Sequence, residues 1–168
     1  MLRKLYLVPV LALFVLPAVA HAQFEAGNWA LQLSGQGSND KDWETGQFSI
    51  NADIGYFLTK EAEVGLREGV VWSDGGSAWG LNSNAYIDYH FDMDRWQPFI
   101  GFNVGKFCGN GTDDSSFGDD FFAGPEVGVK YFVNTTTFVQ AIAAYEFNLN
   151  EGFDEGAFTY GLALGFKW

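Results

Sequence analysis

The stretch "TYGLALGFKW", residues 159–168, sorts into two rows. One row is Tyr160, Leu162, Leu164, Phe166 and Trp168; the other is Thr159, Gly161, Ala163, Gly165 and Lys167. Period-two alternation is the mark of a β-strand. Every large residue falls on one side and every small one on the other, so the fold turns on which solvent the large row faces.

The same alternation recurs upstream. It predicts eight strands, at about 27–36, 45–58, 61–73, 78–91, 96–108, 119–133, 137–149 and 157–168. Short turns follow the second, fourth and sixth strands: "LTKE" at 58–61, "DMDR" at 92–95 and "NTTT" at 134–137. Longer polar loops, "GSNDKDW", "SDGGS", "GNGTDDSSFGDD" and "EGFDEG", follow the other four. Short joints at one end and long ones at the other describe an antiparallel up-and-down barrel. No linker, second domain or helical repeat interrupts residues 23–168.

The second strand sets Phe48, Ile50, Ala52, Ile54 and Tyr56 against Ser49, Asn51, Asp53 and Gly55. The fourth sets Trp79, Leu81, Ala85, Ile87, Tyr89 and Phe91, with Ser83 as the exception, against Gly80, Asn82, Asn84, Tyr86, Asp88 and His90. An eight-stranded barrel encloses a lumen just wide enough for side chains to fill. Four or more Phe, Tyr, Trp or Leu from most strands would overfill it, whereas the Gly, Ala, Ser, Asn and Asp rows fit. Aromatics also gather near strand ends (Trp72, Trp79, Phe91, Trp96, Tyr131, Tyr145, Phe158, Trp168), as in the interfacial girdles of membrane barrels. The large rows are therefore expected to face lipid. A soluble ligand-binding barrel, the inverse arrangement, is disfavoured on volume.

The first residues are read as a secretory signal over 1–22: Arg3 and Lys4, an apolar run from Leu5 to Val19, and a small-residue "AHA" cleavage site. That run is too short for a spanning helix and carries Pro9 and Pro17. The expected mature chain, 23–168, holds seven basic and 21 acidic side chains, a formal charge of −14. So acidic a chain offers no basic patch for nucleic acid. Cys108 is the one cysteine, so no intramolecular disulfide and no cysteine-based metal set can form.

With "WQPFIGFNVGKF" at 96–107, "GPEVGVKYFV" at 124–133 and "TYGLALGFKW" in view, the chain resembles the eight-stranded outer-membrane β-barrels of Gram-negative bacteria, the OmpA-barrel and OmpX-like group. The resemblance covers nearly all of 23–168. It implies an all-β, eight-stranded antiparallel transmembrane barrel after a cleaved signal peptide, with both termini periplasmic and the four long loops outside. It also implies that the last strand, with Tyr160, Phe166 and terminal Trp168, is read by the barrel-assembly machinery, although Trp stands where Phe is more usual. Outer-membrane lipids and lipopolysaccharide are the expected surroundings, and a monomer the expected state. Such barrels include anchors, adhesins, channels and a few lipid-modifying enzymes.

Inward rows place Asp53, Glu63, Asp88, His90, Lys130 and Lys167 towards the periplasmic end, Arg67 and Glu126 near the middle, and Glu146 towards the outer end. Either Arg67 pairs with Glu126 across the middle while Lys130 bridges to Asp53 or Glu63, closing the lumen, or these groups are simply solvated. Glu68 falls on the lipid-facing row unless a bulge at 67–68 re-aims it.

The loops hold 11 of the 21 acids against the single base Lys41. Asp113, Asp114, Asp119 and Asp120 are weak candidates for a hard divalent cation, since such ions take oxygen ligands. "DDSSFGDD" lacks the register of an EF-hand loop, so mobile acidic loops are the plainer reading. For enzymes the sequence is unpromising. His90 has Asp88 and Asp92 as its same-face neighbours and no serine beside it, and no catalytic residues or cofactor are expected. Two roles remain: a structural barrel presenting loops at the surface, or a narrow channel for ions or small solutes.

Overall fold

A computed structural model describes residues 24–40, 46–73, 79–109, 121–149 and 156–168. They form eight antiparallel strands: β1 (Trp29–Asp40), β2 (Gly46–Phe57), β3 (Ala62–Ser73), β4 (Trp79–His90), β5 (Trp96–Gly109), β6 (Phe121–Phe132), β7 (Thr137–Asn148) and β8 (Gly156–Lys167). Each strand pairs with the next, and β8 pairs with β1, closing the barrel. The closure reaches the ends of both strands: Trp29 N donates to Trp168 O at 2.9 Å, and Trp168 N to Trp29 O at 3.1 Å.

β1 differs from the sequence-based span of 27–36. Gly37, Ser38 and Asn39 read as loop residues, yet they pair with Phe48, Gln47 and Gly46 on one side and Tyr160, Thr159 and Phe158 on the other. Pairing on both sides overrides their weak strand propensity. At the near end, residues 27–28 belong to a turn. Gly27 takes a positive φ of 91° there and donates its N–H to Phe57 O at 2.8 Å.

One rung of the ladder runs Phe57, Glu63, Asp88, Gly101, Glu126, Ala144, Thr159 and Ser38, and returns to β2 at Gln47, a stagger of ten residues. A stagger of this kind tilts the strands and sets the barrel's width. It also puts Glu63, Asp88 and Glu126, all inward, on one rung that climbs from the turn end towards the middle of the lumen.

The short turns are held by their own side chains. Thr59 Oγ1 accepts from the N–H groups of Glu61 (3.2 Å) and Ala62 (3.0 Å), and Asn134 Oδ1 accepts from those of Thr136 (2.9 Å) and Thr137 (2.8 Å). In the 92–95 turn Asp94 adopts a φ of 63°, a left-handed conformation that Asp tolerates better than most residues.

Large residues cover the outside. Leu33 is 63% exposed and Leu162 71%, while their neighbours Gln32, Ser34 and Ala163 are buried. Two aromatic rows bound this apolar band. Trp29, Tyr89, Phe91, Trp96 and Trp168 lie at the turn end; Phe48, Trp72, Trp79, Phe121 and Phe158 lie at the other. Inverse patterning of this kind, apolar out and polar in, is what a lipid solvent selects. Closure of the ladder leaves no strand edge unpaired, a further requirement in hydrocarbon.

Candidate functional site

The inward rows fill the lumen at two levels. In the middle stands Arg67 of β3. Its Nε lies 3.1 Å from Asp53 Oδ2 on the adjacent β2, and its Nη1 lies 3.3 Å from Glu126 Oε2 on β6. Asn103 of β5 donates from Nδ2 to the same Glu126 oxygen at 2.9 Å. The guanidinium carbon lies 5.1 Å from the ring centre of Tyr86. Arg67, Asp53, Glu126 and Asn103 are all buried.

Below, towards the turn end, the ammonium of Lys130 binds Glu63 Oε2. His90 Nε2 sits 2.8 Å from that oxygen, and Tyr86 donates its hydroxyl to Glu63 Oε1 at 3.2 Å. Glycine makes this level possible. A Cβ at Gly65 would strike the Tyr86 ring and approach Ile54 O to 2.6 Å, and one at Gly55 would strike the Glu63 carboxylate. Here Glu63, Asp88 and His90 bring ligand-type atoms within 4.8 Å of one another. That spacing would suit a metal ion, but the Lys130 ammonium already supplies the positive charge at Glu63. The Asp88 Oδ1 atom has no hydrogen-bond partner among the described residues.

A lid of phenylalanine lies beneath. Phe24, from the segment ahead of β1, stacks on Phe57 with ring centres 3.8 Å apart and planes at 11°. It meets Phe132 and Phe138 edge-on, at 5.0 and 5.5 Å. Phe24 is 1% exposed, and Phe57, Phe132 and Phe138 are fully buried. The Lys130 ammonium lies 5.2–5.7 Å from the ring centres of Phe24, Phe57, Phe99 and Phe138, within cation–π range. At the rim Lys167 stands over Phe24 and Phe132, at 5.8 and 5.6 Å.

The site residues named from sequence thus divide. Asp53, Arg67 and Glu126 meet in the middle; Glu63, Asp88, His90 and Lys130 gather below. Lys167 caps the lid, and Glu146 lies nearer the other end, accepting from Thr159 Oγ1 at 3.1 Å. Of the two partners open to Lys130, it takes Glu63, and Asp53 goes to Arg67. Tyr160, Phe166 and Trp168 lie on the outward row of β8 and are exposed. No bulge re-aims Glu68: the β2–β3 and β3–β4 registers run unbroken through it, and it is exposed on the outward row. The acidic loop candidates Asp113, Asp114, Asp119 and Asp120 lie outside the described residues. The aromatic lid and Asn103 were not among the sequence candidates. Alternation carried the signal for both, since Phe57, Phe132, Phe138, Phe99 and Asn103 all sit on inward positions.

A closed barrel of eight strands, apolar outside and charged within, is the fold of the eight-stranded outer-membrane β-barrels. Among solved structures, the chain is similar to the N-terminal β-barrel domain of Pseudomonas aeruginosa OprF, at 19% identity over 86% of this chain and 100% of that one, with a TM-score of 0.67. It is also similar to the P. aeruginosa outer membrane protein OprG, at 14% identity over 89% and 99%, with a TM-score of 0.65. The outer membrane enzyme PagL shares the fold at 16% identity over 80% and 97%, with a TM-score of 0.52, so the fold by itself is compatible with activity. No family model and no curated protein matches the chain.

Proposed function

We propose that this chain is an integral outer-membrane protein of a Gram-negative cell, a closed, rigid barrel that anchors four acidic loops at the surface. The observation that carries this reading is Arg67 held between Asp53 and Glu126 across the lumen, above a lower level closed by Lys130–Glu63 and the phenylalanine lid. On this reading, side chains tied to opposite walls close the lumen to water. Residues 1–22 serve as the export signal, both termini lie in the periplasm, and the closing strand with Tyr160, Phe166 and Trp168 is the part the assembly machinery engages. The loops, rich in carboxylates, stand among lipopolysaccharide at the cell surface. The barrel is not an enzyme on this reading: His90 is inside the lumen against Glu63, remote from any lipid substrate.

A narrow channel is the second reading, favoured by the charge of the lumen. Buried or partly buried Asp53, Glu63, Asp88, Glu126 and Glu146 outnumber Arg67, Lys130 and Lys167. Any path that opened would pass cations in preference to anions. Single-channel recording of the purified protein in planar bilayers separates the two. A silent wild type supports the anchor; steady cation-selective steps support the channel.

A further inference from the structure

Between its two aromatic rows the outward surface is apolar on the described strands except along one rung. Glu68 of β3 pairs with Ser83 of β4, and Ser83 pairs with Lys106 of β5. All three lie on outward positions; Glu68 and Ser83 are exposed and Lys106 partly so. The Ser83 hydroxyl donates to Glu68 Oε1, and Lys106 Nζ lies 5.7 Å from the Phe121 ring centre. Above and below are Leu66, Val70, Leu81, Ala85 and Val104.

A carboxylate facing hydrocarbon is costly, and polar groups in membrane segments generally turn towards a partner. This rung is self-complementary, with an acid on one side of Ser83 and a base on the other. A two-fold axis along the membrane normal, passing beside Ser83, sets β3 of one copy against β5 of the other. Such an isologous contact makes the same pairing twice, Glu68 against Lys106 of the second copy. Strands tilted by ~40° and spaced ~4.8 Å place the two ends of the rung ~6 Å apart in height. A lysine's flexible four-carbon stem bridges that offset. Ala52, paired with Glu68, and Ala85, two residues from Ser83, are small enough to let the walls approach, as small residues do between membrane segments.

We infer that the outer face of β3–β5 is the contact surface for a second copy of this chain, closed by two Glu68–Lys106 ion pairs about Ser83. Its alternative is the monomer expected from sequence. It rests on the membrane-embedded reading, because in water the same row would be an ordinary solvated patch.

Cysteine cross-linking tests it. In a Cys108→Ser background, Ser83→Cys is reconstituted in phospholipid vesicles, oxidised, and compared on non-reducing gels with Leu162→Cys on the opposite wall. Ser83→Cys is expected to form a covalent dimer at least ten times more efficiently than Leu162→Cys. Glu68→Gln should lower the yield several-fold, and the swap Glu68→Lys with Lys106→Glu should restore it. Equal yields at 83 and 162, or no dimer from vesicle-inserted Ser83→Cys with heat-modifiable mobility, would overturn the inference alone. A wild-type chain that stays soluble and never enters vesicles would overturn the membrane reading and this inference with it.

Discussion

Arg67 and Glu126 join opposite walls of the barrel. They project from β3 and β6, three strands apart in a ring of eight, yet Nη1 and Oε2 are 3.3 Å apart. Charges removed from water are stabilised only when paired and fully hydrogen-bonded. Asp53 Oδ2 at the guanidinium Nε and Asn103 at the shared carboxylate oxygen supply part of that arrangement, while Asp53 Oδ1 and Glu126 Oε1 have no hydrogen-bond partner among the described residues.

Replacing Arg67 by Ala leaves Asp53 and Glu126 buried without their cation. Breaking one partner of a buried pair costs about 3–5 kcal/mol. Urea unfolding in detergent micelles should therefore show a lowered midpoint for Arg67→Ala. An unchanged midpoint would mean that the luminal charges are solvated.

Glu63 and Lys130 should behave as a unit. Lys130→Met alone strands the carboxylate, at a cost of about 3–5 kcal/mol. Adding Glu63→Gln removes that charge while keeping a group able to meet Tyr86 and His90, so the double variant should recover much of the loss. A double-mutant cycle should give a coupling of about 0.5–3 kcal/mol, as for residues in contact. Additive costs would show that the pair contributes little.

Phe24 is predicted to be part of the folded barrel although it precedes β1. Phe24→Ala removes the ring stacked on Phe57 and should cost about 3–5 kcal/mol. Glu25→Ala, one residue along and exposed, should stay within about 0.5 kcal/mol of the wild type. Equal unfolding midpoints for the two variants would detach the segment from the lumen.

The two faces of the barrel should also respond differently to an added methyl group. At Gly65 it meets the Tyr86 ring and Ile54 O, and Gly65→Ala should destabilise by about 1–3 kcal/mol. At Gly35 the nearest atoms are those of Phe48, 3.8 Å away, and Gly35→Ala should be neutral or stabilising by about 0.4–1 kcal/mol. Unfolding midpoints in the reverse order would contradict the inward and outward assignment.

Much of the barrel is legible in the sequence because its solvent is inverted. "TYGLALGFKW" repeats one large and one small residue, and only a lipid exterior with a narrow lumen satisfies both rows. Strand ends were less legible: Gly37, Ser38 and Asn39 carry turn chemistry, and only their neighbours on β2 and β8 make them strand. Alternation placed the luminal charges, but which carboxylate Arg67 or Lys130 takes depends on the ten-residue stagger, which no single strand encodes. The aromatic lid is hard to read from sequence for a related reason. An argument from lumen volume alone favours small residues inside, yet the turn end accommodates several rings. Glu68 and Ser83, each anomalous within its own strand, become neighbours only once the β3–β4 register is known.

Single-channel recording of wild type beside Arg67→Ala tests the closed lumen most directly. The wild type should be silent in a planar bilayer. Arg67→Ala should stay silent because the Lys130–Glu63 level and the phenylalanine lid still close the lower lumen, and Arg67→Ala combined with Lys130→Met and Phe24→Ala should show discrete cation-selective openings. Steady conductance of the wild type, unaltered by these substitutions, would contradict it.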